Sequence, residues 1–414
     1  MQNHLLAVML IFILVISAAD IWAGDGEWPG WRGLHRDGRS PDKGLLKEWP
    51  AEGPKLVWRV DTVGVGYASV AVSRNVVYTA GDIDGKQMVL ALDAADGRLK
   101  WRAEAGAACN IGGYKGSRGT PTVDGDYIYF LSGEGNISCL AAKDGKQKWS
   151  RRLSEFGGKT PSWGYSESVL IYGDKAIITP GGANCIVALD KKTGKEEWKS
   201  SGFNAPAHYS SCIAVSWNNK KMIVNGTGGG IVGVDALTGR TLWFSDFCHG
   251  NTANCPTPVF ADDRIFWANG YGKGGVCLKL EDNGKEMAAT TAWTTRDMIC
   301  HHGGFIVDNG FIYGNHNNGW ACIELATGQK KWFEQGVGKG SLCWADGMLY
   351  LYSENKGQAA LATCSPEGLK ITGRVSVAGD GPSWAHPVVA GGRLYLRYDK
   401  NLYCFDVRAS GEGK

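Results

Sequence analysis

The chain has 414 residues and a net charge of +3, from 44 Lys and Arg against 41 Asp and Glu. Basic and acidic residues are interspersed and form no basic stripe, so nucleic acid is not expected as a partner. After the N-terminal segment no stretch has the 3.6-residue periodicity of a long helix. Short alternating apolar runs separated by Gly, Asp and Asn favour an all-β protein instead.

The first segment has the features of an export signal. An apolar run at residues 5–18 is followed by small residues, which predicts a signal peptide over residues 1–19 with cleavage after Ala19 or Ala23. An uncleaved membrane anchor is the weaker alternative, because the run is shorter than a typical spanning helix. The first cysteine is Cys109, so no lipid anchor is expected. We therefore predict a periplasmic or secreted protein.

One pattern then recurs about every forty to fifty residues. It is clearest in ALDKKTGKEEW, and its copies end at Trp101, Trp149, Trp198, Trp243 and Trp332. A fixed period of this length indicates a repeat architecture. Between the copies, short strands joined by Gly-containing turns predict four antiparallel strands per repeat, which is the blade of a β-propeller. The Trp on the outermost strand is expected to fill the gap between neighbouring blades.

Two counts predict eight blades in a single domain over residues 55–414. Turns between the first and second strands occur eight times, from Ser73-Arg74 to Gly391-Gly392. Outer-strand positions also number eight, counting a degenerate one near Thr372 that lacks its Trp. The sequence therefore predicts an eight-bladed β-propeller of four-stranded antiparallel blades.

The two ends of the chain predict how the ring closes. The last repeat leaves too few residues for a fourth strand, whereas residues 56–60 form an outer strand without a blade of their own. We expect this N-terminal strand to complete blade 8 and remove an open sheet edge. Residues 20–54 precede it as a strap, and the sequence leaves open whether the strap plugs the central channel.

The repeat resembles that of pyrroloquinoline-quinone (PQQ) type propellers over about residues 55–406. The leader Trp28-Pro-Gly-Trp-Arg-Gly33 is similar to the N-terminal signature of exported bacterial proteins of this superfamily. The resemblance implies either of two functions. One is that of quinoprotein alcohol dehydrogenases, in which PQQ stacks over calcium in the funnel and an Asp acts as base. The other is that of the propeller lipoprotein of the outer-membrane β-barrel assembly machine, which binds partners without catalysis.

The chain departs from both branches. It lacks the adjacent Cys-Cys pair of many of the dehydrogenases and the lipid-attachment Cys of the assembly lipoprotein. Three of its twelve cysteines, Cys139, Cys322 and Cys404, occupy a repeat position that favours a small buried side chain, which indicates core packing. Cys248 and Cys255 share one inter-blade loop and are the predicted disulfide pair.

Polar and aromatic residues gather at the starts of the inner strands and in the loops of one face. Residues that converge on the mouth of a funnel predict a binding site, and the alternative is that loop residues only cap backbone groups. All six histidines of the propeller are expected on this face, at His208, His249, His301, His302, His316 and His386. The predicted ligand-binding residues are Tyr67, Arg118, Trp163, Tyr165, Glu167, His208, Asn254, Arg296, Asp297, His301, His302, Trp384 and His386.

Glu167 is an unusual residue for an inner strand. Trp163, Tyr165 and Glu167 alternate, so on a strand they would share one face. Because a buried carboxylate needs a partner, we expect a salt bridge between Glu167 and Arg118. The alternative is that Glu167 binds calcium beneath a quinone.

The densest group of ionisable residues runs from Arg296 and Asp297 to His301 and His302. Adjacent histidines on a strand point to opposite faces, so both could not bind one metal ion. No CxxC or HExxH spacing is present either. No metal site is predicted here.

These observations favour an exported, non-catalytic binding or scaffold propeller of the cell envelope. The expected partner is an envelope protein or a small ligand at the funnel face, with no cofactor, no catalytic residue and a monomeric chain. The alternative is a PQQ- and calcium-dependent alcohol dehydrogenase. That activity would require a calcium cage of Glu, Asn and Asp around the channel.

Overall fold

The computed structural model describes residues 26–409, so the predicted signal peptide and its cleavage sites lie outside the described residues. Nearly all regular structure in this range is β-strand, with two short 3-10 helices at Ile111–Gly113 and Leu153–Phe156. Within residues 26–409, no helix is long and apolar enough to cross a membrane.

The strands form eight antiparallel sheets arranged as the blades of a propeller, which confirms the predicted fold. Each blade is built from consecutive hairpins, except blade 8, whose outer strand comes from the N-terminal end. From inner to outer, the strands are Ala71–Ser73, Val76–Ile83, Lys86–Asp93 and Leu99–Ala107 in blade 1; Thr122–Asp124, Tyr127–Leu131, Asn136–Ala141 and Gln147–Arg152 in blade 2; Leu170–Tyr172, Lys175–Ile178, Val187–Asp190 and Glu196–Lys199 in blade 3; Ile213–Trp217, Lys220–Thr227, Gly230–Asp235 and Thr241–Ser245 in blade 4; Val259–Ala261, Arg264–Asn269, Gly274–Asp282 and Met287–Thr295 in blade 5; Phe305–Asp308, Phe311–His316, Gly319–Glu324 and Lys330–Glu334 in blade 6; Gly340–Ala345, Met348–Ser353, Gln358–Thr363 and Ile371–Ser376 in blade 7; and Val388–Ala390, Arg393–Tyr398, Asn401–Asp406 and Lys55–Val60 in blade 8.

The N-terminal strand Lys55–Val60 closes the ring, as predicted. It pairs antiparallel with Asn401–Asp406, and Trp58 lies opposite Cys404 in the register. The indole Nε1 of Trp58 donates to the carbonyl oxygen of Ala94 in blade 1 at 3.0 Å. One strand therefore joins the last blade of the chain to the first, and the ring has no open sheet edge at the junction.

The recurring motif works as an interlock between neighbouring blades. The motif Gly adopts a positive φ of 71–76° and lies against the indole of the preceding blade, where a Cβ would come within 2.5–2.8 Å of the ring. These pairs are Gly97 with Trp58, Gly145 with Trp101, Gly194 with Trp149, Gly239 with Trp198, and Gly328 with Trp293. Only Gly combines this backbone conformation with such close approach, which explains why Gly and Trp recur together.

Blade 7 lacks the Trp of the motif, and the strap supplies one. Gly373 occupies the Trp position, paired with Leu361 in the register. The side chain of Trp49 lies directly against Gly373 and is 4% exposed. Its ring is 6.0 Å from that of Tyr350 at 54°, which matches the 6.0 Å and 50° between Trp101 and its blade partner in blade 1.

Residues 28–42 of the strap lie across the central channel and contact the inner part of every blade. Arg39–Ser40 pairs parallel to the inner strand Gly340–Ala345 of blade 7. The buried guanidinium of Arg36 donates to the carbonyl oxygens of Ser168 and Cys212, each at 2.9 Å, and of Val169. Contacts with the other blades come from Trp28 with Val72, Pro29 with Val123, Trp31 with Thr257, Arg32 with Phe305, and Asp42 with Gly392. The strap thus fills the channel, a point that the sequence left open.

All twelve cysteines are free thiols. The predicted disulfide between Cys248 and Cys255 is therefore wrong. Cys248 is buried and its sulfur accepts a hydrogen bond from the amide of Asn269 at 3.5 Å. Cys139, Cys322 and Cys404 are buried at the third-strand position opposite the motif Trp, as their repeat position predicted.

Candidate functional site

A pocket of about 210 Å³ opens on the face that carries the inter-blade loops. Its lining is dominated by aromatic rings and imidazoles. The lining residues are Trp31, Tyr67, Tyr114, Arg118, Trp163, Ser166, Tyr209, Ser211, Ala253, Cys255, Tyr271, His301, His302, Trp384 and His386. Seven of the thirteen residues predicted for the site are among them. This is the concave, mainly apolar type of site that binds ligands.

Trp384 forms the centre of one wall. Its ring lies 4.8 Å from that of Tyr67 and 4.9 Å from that of Tyr114, both tilted. Its indole Nε1 donates to Oε2 of Glu354 at 3.0 Å. Centroid distances and tilts of this kind are favourable for aromatic rings, and the hydrogen bond fixes the rotation of the indole.

Trp31, from the strap, closes the bottom of the pocket. Its indole Nε1 donates to Oγ1 of Thr257 at 2.8 Å, and its ring lies 4.4 Å from that of His386. His386 is buried, and its Nε2 contacts the carbonyl oxygen of His302 at 3.0 Å. The strap that crosses the channel thus contributes Trp31 to the lining of the pocket.

Arg118 shapes the pocket by organising a loop. Its guanidinium donates to the sulfur of Cys109 at 2.7 Å and to the carbonyl oxygen of Gly116 at 2.8 Å. It also donates to the carbonyl oxygens of Ile111 at 3.0 Å and Tyr114 at 2.6 Å. These bonds hold the segment that carries Tyr114, so most of the guanidinium donors are committed to the protein itself.

The imidazoles of the pocket are neutral at physiological pH. Burial and, to a smaller extent, the nearby Lys339 ammonium lower the pKa of His301 to about 4. Burial also lowers the pKa of His386 to about 3 and that of His302 well below its usual value. Among the lining residues that the structure describes, Arg118 is therefore the cationic one.

His301 and His302 lie in the loop between the outer strand of blade 5 and the inner strand of blade 6. The expectation that they point to opposite faces of a strand is therefore wrong. Their ring centroids are 5.4 Å apart, and both line the pocket. All six propeller histidines do lie on the predicted face, because His316 ends a second strand and the other five lie in inter-blade loops.

Six predicted residues lie outside the pocket lining. Tyr165 is in the core and donates from its hydroxyl to Pro180 at 3.1 Å. His208 and Asn254 build the neighbouring loop, since the backbone N–H of Asn254 donates to Nδ1 of His208 at 3.1 Å. Arg296 is exposed just after an outer strand, and Asp297 pairs with Lys330 at 2.7 Å. The sixth is Glu167.

Glu167 is buried beside the channel, and the predicted salt bridge with Arg118 is wrong. Its carboxylate accepts hydrogen bonds from the backbone N–H of Thr179 at 2.6 Å and from the hydroxyl of Thr179 at 3.0 Å. The nearby charge is the guanidinium of Arg36 from the strap. Trp163 lies in a turn, residues 164–169 have no regular secondary structure, and the inner strand begins at Leu170, so strand alternation did not apply.

Several pocket residues were not predicted from the sequence. Tyr114, Tyr209 and Tyr271 lie in loops of the same face as the predicted residues, and their position was the signal available. Trp31 carried no such signal, because its hydrogen-bond partner is 226 residues away. Glu354, which holds Trp384, lies between two strands of blade 7 and was equally hidden.

The lining residues do not fit the calcium-bound quinone of the dehydrogenase alternative. Calcium prefers carboxylate and amide oxygens, and the described lining contains no Asp, Glu or Asn side chain. The two candidate acids are committed elsewhere, Glu167 to Thr179 and Asp297 to Lys330. The lining does contain imidazole nitrogens that could bind a metal ion, but calcium prefers oxygen ligands.

Comparison with known proteins places the chain in one superfamily with two kinds of relative. The family model of the outer membrane protein assembly factor BamB matches residues 40–110 and 110–334. A polyvinylalcohol dehydrogenase of Sphingopyxis sp. (strain 113P3) is 28% identical over 179 residues, covering 37% of this chain and 25% of that protein. A quinoprotein ethanol dehydrogenase of Pseudomonas aeruginosa is 25% identical over 256 residues, covering 53% and 40%. The chain thus spans less than half the length of these curated relatives.

Solved structures show the same pair of relatives. BamB from Moraxella catarrhalis superposes with a TM-score of 0.62 at 15% identity, covering 86% of this chain and 99% of that one. The quinohemoprotein alcohol dehydrogenase ADHIIG from Pseudomonas putida HK5 gives a TM-score of 0.66 at 14% identity, covering 94% and 81%. Identity at this level shows a shared fold. The family model of the outer membrane protein assembly factor BamB covers more than half of the sequence. The chain therefore belongs to this family of PQQ-type β-propellers.

Proposed function

We propose that this protein is a non-catalytic binding propeller of the cell envelope, exported by its N-terminal segment. Its binding site is the aromatic pocket on the loop face. The observation that carries the proposal is the composition of that pocket. Its walls are aromatic rings, and its imidazoles are neutral. Its one cationic lining residue, Arg118, is hydrogen-bonded within the protein. Such a surface binds by burying an apolar or ring-shaped group, and it offers no pair of groups for proton transfer.

The size of the pocket favours a partner protein over a large free ligand. At about 210 Å³ it is smaller than the roughly 300–1,000 Å³ of pockets that enclose drug-sized molecules. It has room for one anchoring side chain from a partner, and aromatic anchors in such pockets carry much of the affinity of protein interfaces. Tyr271 and Tyr114 at the rim are 50% and 40% exposed, so they would extend the contact beyond the pocket.

The test is site-specific photo-crosslinking in the native envelope. A photoreactive amino acid at Tyr271 or Tyr114 should cross-link to a discrete partner protein, because both positions lie at the pocket mouth. The control position is Leu237, which is 67% exposed but lies in a turn between third and fourth strands, on the opposite face. The substitution Trp384→Ala should abolish the rim cross-links by removing the central ring of the wall.

Two results would overturn the proposal. One is equal cross-linking from the rim and from Leu237. The other is sustained dye-linked oxidation of ethanol after the purified full-length chain is incubated with PQQ and calcium. The second result would support the quinoprotein alternative that the curated relatives suggest.

A further inference from the structure

Beside the pocket, two imidazoles and one carboxylate converge. One donor atom each from His301, His302 and Glu354 lies within 4.8 Å of the others. Nδ1 of His302 is 3.6 Å from Oε2 of Glu354. Two ligands of a tetrahedral zinc ion with bonds of about 2.1 Å are separated by roughly 3.4 Å, so this pair is already spaced for one ion.

Hydrogen bonding leaves the facing nitrogen atoms free. Nδ1 of His301 and both ring nitrogens of His302 are buried, and none has a hydrogen-bond partner within the described part of the chain. Buried polar atoms are normally satisfied, so three orphaned nitrogens in two adjacent residues indicate a missing partner.

The surrounding residues orient these groups, as the hydrogen-bond partners of metal ligands commonly do. Nε2 of His301 contacts the hydroxyl of Tyr271 at 3.3 Å, which leaves Nδ1 as its free atom. Trp384 donates to Oε2 of Glu354 at 3.0 Å, and Lys339 holds Oε1 at 3.1 Å. Fixing the second nitrogen of a histidine and the rotation of a carboxylate is the usual support for a metal site.

We propose that His301, His302 and Glu354 form a binding site for a divalent transition-metal ion such as Zn²⁺. Two imidazoles and one carboxylate are a donor set that zinc accepts, whereas calcium and magnesium favour oxygen ligands throughout. Three protein ligands leave a coordination position open, and because both histidines line the pocket, that position faces it. A bound ion would let the pocket recognise a partner group that carries a donor atom. This site does not depend on the partner proposed above.

The ammonium of Lys339 sets a limit on the affinity. It lies on the carboxylate oxygen that is not assigned to the metal, and its charge opposes that of a cation nearby. We therefore expect moderate binding, in the micromolar range or tighter, rather than the affinity of a closed structural zinc site.

The test uses the untagged full-length chain after removal of metal with a chelator. Zn²⁺ is titrated in competition with a chromophoric chelator, and Co²⁺ is titrated while its visible absorption is recorded. The wild type should bind one ion per chain, with the intense absorption of low-coordinate cobalt. His302→Ala and Glu354→Gln should each weaken zinc binding at least tenfold and remove that absorption. His249→Ala is the matched control, because His249 is an exposed loop histidine of the same face and should leave both signals unchanged.

Circular dichroism and thermal melting show whether each variant is folded, and His301→Ala provides a further ligand variant should one of the others unfold. The proposal is wrong if the wild type binds no zinc at micromolar concentration. It is also wrong if folded His302→Ala and His301→Ala bind zinc and cobalt as the wild type does, because the ion would then occupy another site.

Discussion

Glu167 shows how one residue can set the pH dependence of the whole protein. It is 1% exposed, and burial raises the pKa of its carboxyl from 4.5 to about 7, although bonds to Thr179 and the charge of Arg36 oppose the shift. Between pH 4.5 and 7 the unfolded chain releases this proton while the folded chain keeps it. The folded state therefore binds more protons, and its stability from this group falls as the pH rises through that window.

The substitution Glu167→Gln should remove this dependence, because the amide is neutral at every pH. A shift from 4.5 to about 7 corresponds to a contribution on the order of 3 kcal/mol. We expect the free energy of unfolding of the wild type, measured with urea, to fall by that order relative to the variant between pH 4.5 and 8. Glu104→Gln is the control, since Glu104 forms an exposed pair with Lys86 and its curve should run parallel to the wild type. Parallel curves for Glu167→Gln would contradict the interpretation.

At the scale of the element, the strap acts as part of the propeller. It fills the channel, forms the bottom of the pocket through Trp31 and supplies blade 7 with the ring of Trp49. The segment before the first blade is thus a structural component with three separate roles. It joins inner strands that are far apart in the sequence, which is a second means of holding the ring together besides the closing strand.

The role of Trp49 predicts that Gly373→Trp changes the stability in opposite directions in the presence and in the absence of Trp49. Trp49→Ala should cost about 3–5 kcal/mol of stability, as is usual for deleting a buried Trp. Gly373→Trp should destabilise the wild type, because a Cβ at Gly373 would lie 2.4 Å from that of Trp49. In the Trp49→Ala background the same change should stabilise, since it restores the motif Trp to its own strand. Urea unfolding of the four proteins measures this coupling.

Trp163→Ala is the control for this cycle, because Trp163 is a partly exposed pocket residue and its loss should cost much less. Additive effects of Trp49→Ala and Gly373→Trp would mean that the two residues do not share one site.

At the scale of the whole molecule, the parts predicted from the sequence are those that repeat. The turns, the Gly and the Trp recur in register, so each copy supports the assignment of the others. These repeats were sufficient to predict the eight blades and the closing strand. The strap contacts occur once each and join residues hundreds of positions apart, so no period reveals them. The loop face was predictable from strand order alone. The partner of Glu167 was not, because it is an arginine of the strap.

The way in which the ring closes predicts which junction between blades opens first. Blade 8 is the one blade whose outer strand is not joined to its neighbour by a hairpin, since Lys55–Val60 pairs with Asn401–Asp406. The contact between this outer strand and blade 1 depends on Trp58, which packs on Gly97 and is 7% exposed. Blade 2 uses the same interlock through Trp149, 9% exposed, but there the chain itself joins the outer strand to the third.

Hydrogen exchange compares these two junctions directly, because local opening sets the exchange rate of each strand. Trp58→Ala should speed exchange in both Lys55–Val60 and Asn401–Asp406 by more than Trp149→Ala speeds it in Gln147–Arg152. The residue, its burial and its contacts are matched, so the difference isolates the missing hairpin. Equal acceleration at the two junctions would mean that the strap, rather than the closing strand, keeps the ring shut.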